Sequence, residues 1–209
     1  MLYIYSLIIG YLLGSFPTAY LILKSSRGLD ITRNGSGIAG AMNTYEVSQS
    51  KVLGIIVFLL DALKGLLSVY LCLLLFPINF IYPALALIFA VFAHCYNPWL
   101  KFKGGKGLAA AAGGSALLFP ALLIIWAVIW TIVYLFRKNI NFSNIWATVM
   151  TLILVFGSAD ILFKYANPLP DSVSSLLLFT VSLLLIVLTR HYDDLIEILK
   201  DKKIFSIKR

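Results

Sequence analysis

The run "LAAAAGGSALLFPALLIIWAVIWTIVYLF", residues 108–136, is the stretch on which the predicted number of helices depends. It extends over 29 positions without a charged residue, whereas about 20 apolar residues suffice to cross the hydrocarbon core of a membrane. A proline inside a helix lacks the N–H group and clashes with the preceding turn. Pro120, near the middle of the run, therefore predicts two shorter helices that meet in a turn.

The composition of the whole chain is that of a membrane protein. Hydrophobic residues make up 61% of the 209 residues and charged residues 12%, whereas a soluble domain carries about 25% charged residues. Long apolar runs recur, which predicts an all-α, polytopic membrane helix bundle formed by one domain, residues 1–209. The predicted spans are 2–23, 52–76, 80–97, 107–119, 121–136, 145–164 and 174–190.

The distribution of positive charge selects seven spans over six. With seven, 15 of the 17 lysines and arginines lie on one face, while Lys164 lies on the other and Lys64 lies inside a span. Lysine and arginine accumulate on the cytoplasmic side of membrane proteins. We therefore predict an external N-terminus and a cytoplasmic C-terminus. A six-span chain would put Arg137 and Lys138 outside and break the pattern.

Several classes of function are disfavoured by the same composition. The net charge of +8 is explained by basic residues at span ends that face anionic lipid, so no nucleic-acid partner is predicted. A tetrahedral zinc site would use both histidines and both cysteines of the chain. The cysteines show no paired spacing. We predict no metal, no cofactor and no disulfide.

The segment Lys103-Gly104-Gly105-Lys106-Gly107, called the lysine segment below, precedes a predicted helix that begins near Leu108. Glycines allow backbone N–H groups to converge, and a helix N-terminus adds partial positive charge, so the segment suits a phosphate or acyl phosphate. The alternative is a basic anchor whose lysines reach the lipid headgroups. Anchoring explains the lysines but not three glycines in four residues, which favours phosphate binding.

A second glycine-rich segment, "NGSGIAGAMNT" at residues 34–44, is predicted on the same face. Its glycines allow close backbone approach, Ser36 carries a hydroxyl and Asn43 an amide. The composition is also that of an ordinary loop. Because both segments are predicted on the same face of the membrane, the sequence favours a joint site with the lysine segment.

Two further groups of polar residues could contribute. Asp61 and Lys64 share a helix face deep in the second span, where we expect a structural ion pair. Arg190 and His191 leave the last span at the cytoplasmic face, before an amphipathic helix. In one interpretation they are a positive stop signal before a tail that lies on the membrane. In the other they close the phosphate site, and the residues alone do not decide between the two interpretations. His94 is expected to be a hydrogen-bonded structural residue.

The chain resembles the bacterial acyl-phosphate-dependent glycerol-3-phosphate acyltransferases, which are small seven-helix membrane enzymes. Five segments carry the resemblance in order along almost the whole chain: "GSFPTAYL" at 14–21, "GSGIAGAMN" at 35–43, "DALKG" at 61–65, "LKFKGGKGLA" at 100–109 and "RHYDDL" at 190–195. The resemblance implies acyl transfer from acyl phosphate to the 1-hydroxyl of glycerol 3-phosphate, which gives lysophosphatidic acid and phosphate. It also implies the inner (plasma) membrane of a bacterial cell. Neither histidine begins the HxxxxD pair of the other large acyltransferase class.

The resemblance and the residue types together predict a site for acyl phosphate and glycerol 3-phosphate at the inner edge of the membrane. Catalytic roles are predicted for Ser36, Lys106 and His191. Phosphate-binding roles are predicted for Gly37, Gly40, Asn43, Lys101, Lys103, Gly104, Gly105, Gly107 and Arg190. The resemblance also implies that a substrate phosphate oxygen takes the hydroxyl proton, so that no protein base is required.

The chain departs from the usual pattern of the family at five positions: Ile38 and Asp194 replace asparagines, Glu46 and Glu197 replace arginines, and Asp201 replaces a glycine. Each change removes a donor or adds repulsion towards a phosphate. Lys51 and Arg33 are the nearby cations that could compensate.

Three functions remain open from the sequence. The first is an active acyltransferase of this family. The second is a catalytically impaired member that binds lipid phosphate or a protein partner. The third, a small transporter with Asp61 and Lys64 in its path, is disfavoured by the retained glycine-lysine segment and by the absence of a convincing internal repeat.

Overall fold

The computed structural model describes residues 1–200, and all regular structure in this range is helical. Three short 3₁₀ turns lie at Ile31–Arg33, Pro98–Leu100 and Phe163–Tyr165. The α-helices are α1 Leu2–Ser15, α2 Thr18–Arg27, α3 Ala41–Ser48, α4 Lys51–Leu75, α5 Ile81–Cys95, α6 Leu108–Leu118, α7 Pro120–Arg137, α8 Ile140–Gly157, α9 Ala159–Leu162, α10 Val173–Thr189 and α11 Tyr192–Lys200.

Several helical segments are long and apolar enough to cross a membrane, so the chain is a multi-pass membrane protein. In residues 1–200 there are five such segments, and six if α10 and α11, which meet at 59°, count as one. The first of them combines α1 and α2. Helix α6, with 11 residues, is short for a crossing. The count of seven therefore stays a prediction, as does the orientation of the termini.

Pro120 separates two helices, as the sequence predicts. Phe119 caps the end of α6 and the start of α7, and Pro120 is the first residue of α7, where its missing N–H costs no intrahelical hydrogen bond. The Lys106 Nζ atom before α6 lies 3.0 Å from Asn141 Oδ1 in the first turn of α8. The chain after α7 therefore returns to the end of the bundle where α6 begins. Residues 108–136 do not form one continuous helix.

The predicted boundaries of the sixth span were wrong. Helix α8 covers Ile140–Gly157 instead of 145–164, because Asn139 caps its start by accepting a hydrogen bond from Phe142 N. Residues 140–144, which lay between two predicted spans, are therefore helical.

Helix α7 has only Leu122 buried. Two indole hydrogen bonds connect it to α8, Trp126 Nε1 to Thr148 Oγ1 at 3.0 Å and Trp130 Nε1 to Asn144 Oδ1 at 2.7 Å.

Small residues bring the inner helices into backbone contact. A methyl group on Gly10 or Gly14 of α1 would overlap the backbone of α5 at Ala86 or Ala90. A methyl group on Gly65 of α4 would overlap the Ala110 carbonyl of α6. Lipid tails are as apolar as leucine side chains, so close van der Waals contact of this kind is a main source of helix association in membranes. The start of α6 is thereby fixed against α4 and α5.

We predict that Gly65→Ala lowers the free energy of unfolding by about 1–3 kcal/mol, because the added methyl group forces α4 away from α6. The matched control is Gly157→Ala. Gly157 is a helical glycine with no atom within 4 Å of the position of a Cβ, so the added methyl should be neutral or slightly stabilising. Thermal unfolding in detergent measures both variants. Equal midpoints would contradict the role given to this contact.

Candidate functional site

The two glycine-rich segments contact each other. Ala39 N donates a hydrogen bond to Gly104 O at 3.3 Å, and a Cβ on Gly105 would come within 2.9 Å of Ala39 O. The shared face predicted for the two segments is therefore confirmed as direct contact.

The N–H groups of Gly104 and Gly105 do not face an open site. They donate to Cys95 O at 3.2 Å and His94 O at 3.1 Å, both at the end of α5. A Cβ on Gly104 would overlap His94 O, so glycine is needed for close packing at this position. These hydrogen bonds do not support the phosphate-binding role of Gly104 and Gly105, which stays a prediction. Within residues 1–200 no side chain of the N-cap bonds the first turn of α6, after Gly107, and N–H groups at such a position bind anions.

Arg190, which follows α10, holds the lysine segment from the other side. Its Nε donates to Gly105 O and its Nη2 to Gly104 O, each at 3.2 Å. The guanidinium carbon lies 5.5 Å from the centroid of the Tyr96 ring. Arg190 therefore contacts the lysine segment, as one of the two interpretations left open by the sequence requires, but its donors are used on backbone carbonyls. Its role as a phosphate ligand stays a prediction.

Lys106 has two partners on other elements. Its Nζ lies 2.6 Å from Asp194 Oδ2 of α11 and 3.0 Å from Asn141 Oδ1 of α8, and its side chain is 20% exposed. Asn141 was not predicted as a site residue, and no pattern in the sequence marks it. Asp194 had been predicted to repel a phosphate, whereas here it pairs with the lysine.

His191 is buried against the end of α10 with one ring nitrogen unused. Its Nδ1 lies 2.9 Å from Val187 O. A carbonyl oxygen only accepts, so Nδ1 carries the proton and donates, and Nε2 of the neutral ring is an acceptor. Nε2 is buried without a hydrogen-bond partner among residues 1–200. An unpaired buried acceptor costs stability, which suggests a functional reason for keeping it.

Asn43 shapes the first loop instead of facing a ligand. Its Oδ1 accepts from Ser36 N at 3.0 Å, and its Nδ2 donates to Asn34 O at 3.1 Å and Ile38 O at 3.0 Å. The hydrogen bonds of the Asn43 amide within its loop do not support direct phosphate binding, and that role stays a prediction. Ser36 is exposed at the surface of the loop, and its Oγ accepts from Ile38 N at 3.4 Å.

The remaining predicted ligands surround these residues. Gly37, with φ of 72°, closes a turn by donating to Asn34 O, and Gly40 precedes α3 and donates to Ile38 O. Lys101 and Lys103 are exposed, and no ion pair or hydrogen bond holds either ammonium within residues 1–200. Gly107 has φ of 84°, where a Cβ would come within 2.7 Å of Cys95 Sγ.

A buried ionic cluster lies next to the lysine segment. Asp61 Oδ1 accepts from Thr18 Oγ1, lies 2.8 Å from Lys64 Nζ and lies 3.7 Å from His94 Nδ1. The ion pair expected between Asp61 and Lys64 is present. The His94 ring lies against Gly105, since a Cβ there would overlap Nε2. The contact of Thr18 with Asp61 was missed, because it depends on the tertiary structure. His94, expected to be a hydrogen-bonded structural residue, lies beside the carboxylate at a distance too long for a hydrogen bond.

The other departures from the family pattern lie away from these contacts. Glu46 and Glu197 are exposed, and Ile38 is partly buried. Arg33 pairs with Asp30 at 3.6 Å, and within residues 1–200 neither Arg33 nor Lys51 forms an ion pair with Glu46. Asp201 lies outside the described residues. In residues 1–200, no group of three or more His, Cys, Asp or Glu is arranged as metal ligands would be.

A shallow apolar groove begins at the first residue of α6, directly after the lysine segment. It runs between α6, α7 and α10, and its one polar lining side chain besides Trp126 is Ser115. The lining residues are Leu108, Ala111, Ala112, Ser115, Leu122, Leu123, Trp126, Leu183, Leu184 and Val187. A cationic site and a groove suited to a hydrocarbon chain thus adjoin at one end of the bundle.

This combination defines a multi-pass membrane protein in which a cationic segment adjoins an apolar groove. Residues 4–201 match the family model described as glycerol-3-phosphate acyltransferase. The chain belongs to this family of membrane acyltransferases of lipid biosynthesis.

Curated relatives and solved structures agree with this assignment. The chain is 30% identical over 210 residues to glycerol-3-phosphate acyltransferase of Helicobacter acinonychis, with 94% of this chain and 92% of the relative covered. It is 31% identical over 206 residues to that of Clostridium acetobutylicum, with 96% and 98% covered. The crystal structure of PlsY (YgiH), an integral membrane glycerol 3-phosphate acyltransferase in its glycerol 3-phosphate form, has a TM-score of 0.77 at 26% identity, with 94% and 92% covered.

We predict that Arg190→Lys keeps the charge but loosens the lysine segment, because an ammonium cannot donate to both carbonyls in the geometry of a guanidinium. Amide hydrogen exchange of Gly104 and Gly105 should accelerate about tenfold, since two hydrogen bonds are weakened. Arg27→Lys, at an exposed arginine of α2, is the matched control. Unchanged exchange in the Arg190 variant would argue against this role.

Proposed function

We propose that the protein transfers an acyl group from acyl phosphate to the 1-hydroxyl of glycerol 3-phosphate. The products are lysophosphatidic acid and inorganic phosphate. The observation that carries the proposal is the junction of the cationic segment with the apolar groove at Gly107 and Leu108. A related structure contains lysophosphatidic acid, an amphiphile with a phosphate head and one acyl chain, and shares 25% identity and a TM-score of 0.76 with this chain.

The substrate phosphates would lie among Lys101, Lys103, Lys106 and the first turn of α6. Lysines and helix N-termini stabilise phosphate charge, and they act more strongly in a partly dehydrated site than in water. Ser36, on the loop that contacts Gly104, would donate its hydroxyl to one of the phosphates. Gly104 and Gly105 contribute by letting the segment pack against α5, and Arg190 by holding their carbonyls.

Reaction requires only one bond exchange at the acyl carbon. The hydroxyl oxygen of the acceptor attacks the acyl carbonyl, the bond to the phosphate oxygen breaks, and the hydroxyl proton ends on the departing phosphate. Acyl phosphate is a reactive mixed anhydride, so holding both substrates in line supplies much of the acceleration. The unprotonated Nε2 of His191 is buried, and substrate binding would have to expose it. It would then accept a hydrogen bond from the second hydroxyl of glycerol 3-phosphate and so orient the acceptor.

The groove would hold the acyl chain of the donor. Its walls are apolar, and it begins where the phosphate site ends. This placement lets a substrate arrive from the lipid while its head stays in water. We further propose one domain over residues 1–209 in the plasma membrane of a bacterium, with seven crossings, the N-terminus outside and the site on the cytoplasmic face. The concentration of lysine and arginine around the site supports that orientation.

A second candidate is a family member that binds phosphate without turning over. One observation favours it, since the Asp194 carboxylate neutralises the charge of Lys106 at 2.6 Å. Turnover of palmitoyl phosphate and glycerol 3-phosphate separates the two candidates.

We predict that purified protein in lipid releases phosphate and forms lysophosphatidic acid from these two substrates. Lys106→Ala should lower kcat/KM about 100-fold or more, because a charge at the reacting phosphate is lost. The control is Lys164→Ala, an exposed lysine in the short 3₁₀ turn after α9. Absence of turnover by the unmodified protein would support the phosphate-binding candidate.

We predict that Ala112→Leu shortens the acyl chain that the protein accepts. Ala112 lines the groove, so a larger side chain reduces its depth. The ratio of kcat/KM for palmitoyl phosphate to that for decanoyl phosphate should fall about tenfold, as a loss of several buried methylene contacts. Ala116→Leu, on the exposed face of the same helix, should leave the ratio unchanged. An equal effect of both variants would exclude the groove as the chain site.

A further inference from the structure

The ammonium of Lys106 is already bound by an anionic side chain of the protein. Asp194 Oδ2 lies 2.6 Å from Nζ, and the two side chains are 13% and 20% exposed, respectively. Asn141 Oδ1 takes a second proton of the ammonium at 3.0 Å. Since a lysine has three N–H donors, one remains for another acceptor.

The carboxylate is held in place by the packing of its helix. Asp194 lies in the first turn of α11, which bends by 59° from α10. Further along α11, Ile198 is buried against Phe142 and Ile145 of α8. The carboxylate therefore faces Lys106 because of the fold, and the pair is more than a chance contact of two mobile surface side chains.

A carboxylate and a phosphate compete for the same ammonium. Both present anionic oxygens to N–H donors, and the pairing of Lys106 with Asp194 neutralises the charge that would attract a substrate. His191 lies three residues before Asp194, at the end of α10. Replacement of one anion by another at Lys106 would thus occur beside the predicted catalytic histidine.

We propose that Asp194 sets the phosphate affinity of the site by competing for Lys106. Its carboxylate holds the ammonium when the site is empty and gives way, fully or in part, when the phosphate group of a substrate or product binds. The residue thereby weakens phosphate binding and eases release of the product phosphate. This inference rests on the proposed function, since it assigns Lys106 to a substrate phosphate.

The test is Asp194→Asn, which keeps the size of the side chain and removes its charge. Inorganic phosphate is the probe, and the rise of the unfolding midpoint with phosphate concentration is the readout. The phosphate concentration that raises the unfolding midpoint by a fixed amount, called the phosphate midpoint below, is proportional to the dissociation constant. It should fall about three- to tenfold, because a partly exposed internal ion pair no longer competes. In turnover, KM for glycerol 3-phosphate or acyl phosphate should fall by a similar factor without an increase in kcat.

Asp193→Asn is the matched control. Asp193 is exposed one position away in the same first turn of α11, and no ion pair or hydrogen bond of its carboxylate occurs within residues 1–200. The control makes the same change in net charge and in the helix N-terminus, so its phosphate midpoint should stay that of the unmodified protein. Asp194→Ser, which also removes the carboxylate, replaces the asparagine variant if that protein fails to fold.

The outcomes separate this inference from the proposed function. An unchanged or higher phosphate midpoint in the Asp194 variants overturns the competition, and so does an equal decrease in the Asp193 variant. The midpoint requires no turnover. The protein could form no lysophosphatidic acid and still show a lower phosphate midpoint in Asp194→Asn. That result would contradict the proposed reaction and support the competition at Lys106.

Discussion

The carbonyl oxygens of Gly104 and Gly105 hold the site together. They accept hydrogen bonds from Arg190 beyond α10 and from Ala39 in the first loop, while the N–H groups of the same glycines donate to the end of α5. Three separate parts of the chain are joined through two residues without side chains. The positions of Lys106 and of the start of α6 follow, because both come immediately after this junction.

Buried charge supports the junction from within the bundle. Asp61 is satisfied by Thr18 and Lys64, and the His94 ring separates this cluster from Gly105. An unpaired charge at this depth would cost several kcal/mol, whereas a paired and hydrogen-bonded one is tolerated. Because Lys64 and Asp61 satisfy each other, they have no need of an ion or a transported solute as a partner, which agrees with membership of an acyltransferase family.

The features that could be predicted from the sequence are those with a local cause. Apolar runs, the break at Pro120 and the i, i+3 pair of Asp61 and Lys64 depend on residues that are close in the chain. The partners of Lys106 are 35 and 88 residues away, so no local pattern reveals them. Asn43 was assigned to a ligand although its amide groups are satisfied by its own loop. Residue type indicates which hydrogen bonds are possible, and the tertiary structure decides which are made.

Helix α7 forms one wall of the apolar groove yet buries only Leu122. Its 18 residues span about 27 Å at 1.5 Å per residue, slightly less than a typical hydrocarbon thickness. Two indole hydrogen bonds hold α7 to α8 alone. A helix with so few buried residues adjusts its tilt to the thickness of the surrounding bilayer more easily than α4 or α5, which are locked by glycine contacts. The width of the groove is therefore set partly by the lipids around it, and the membrane that the family helps to build acts back on the shape of the protein.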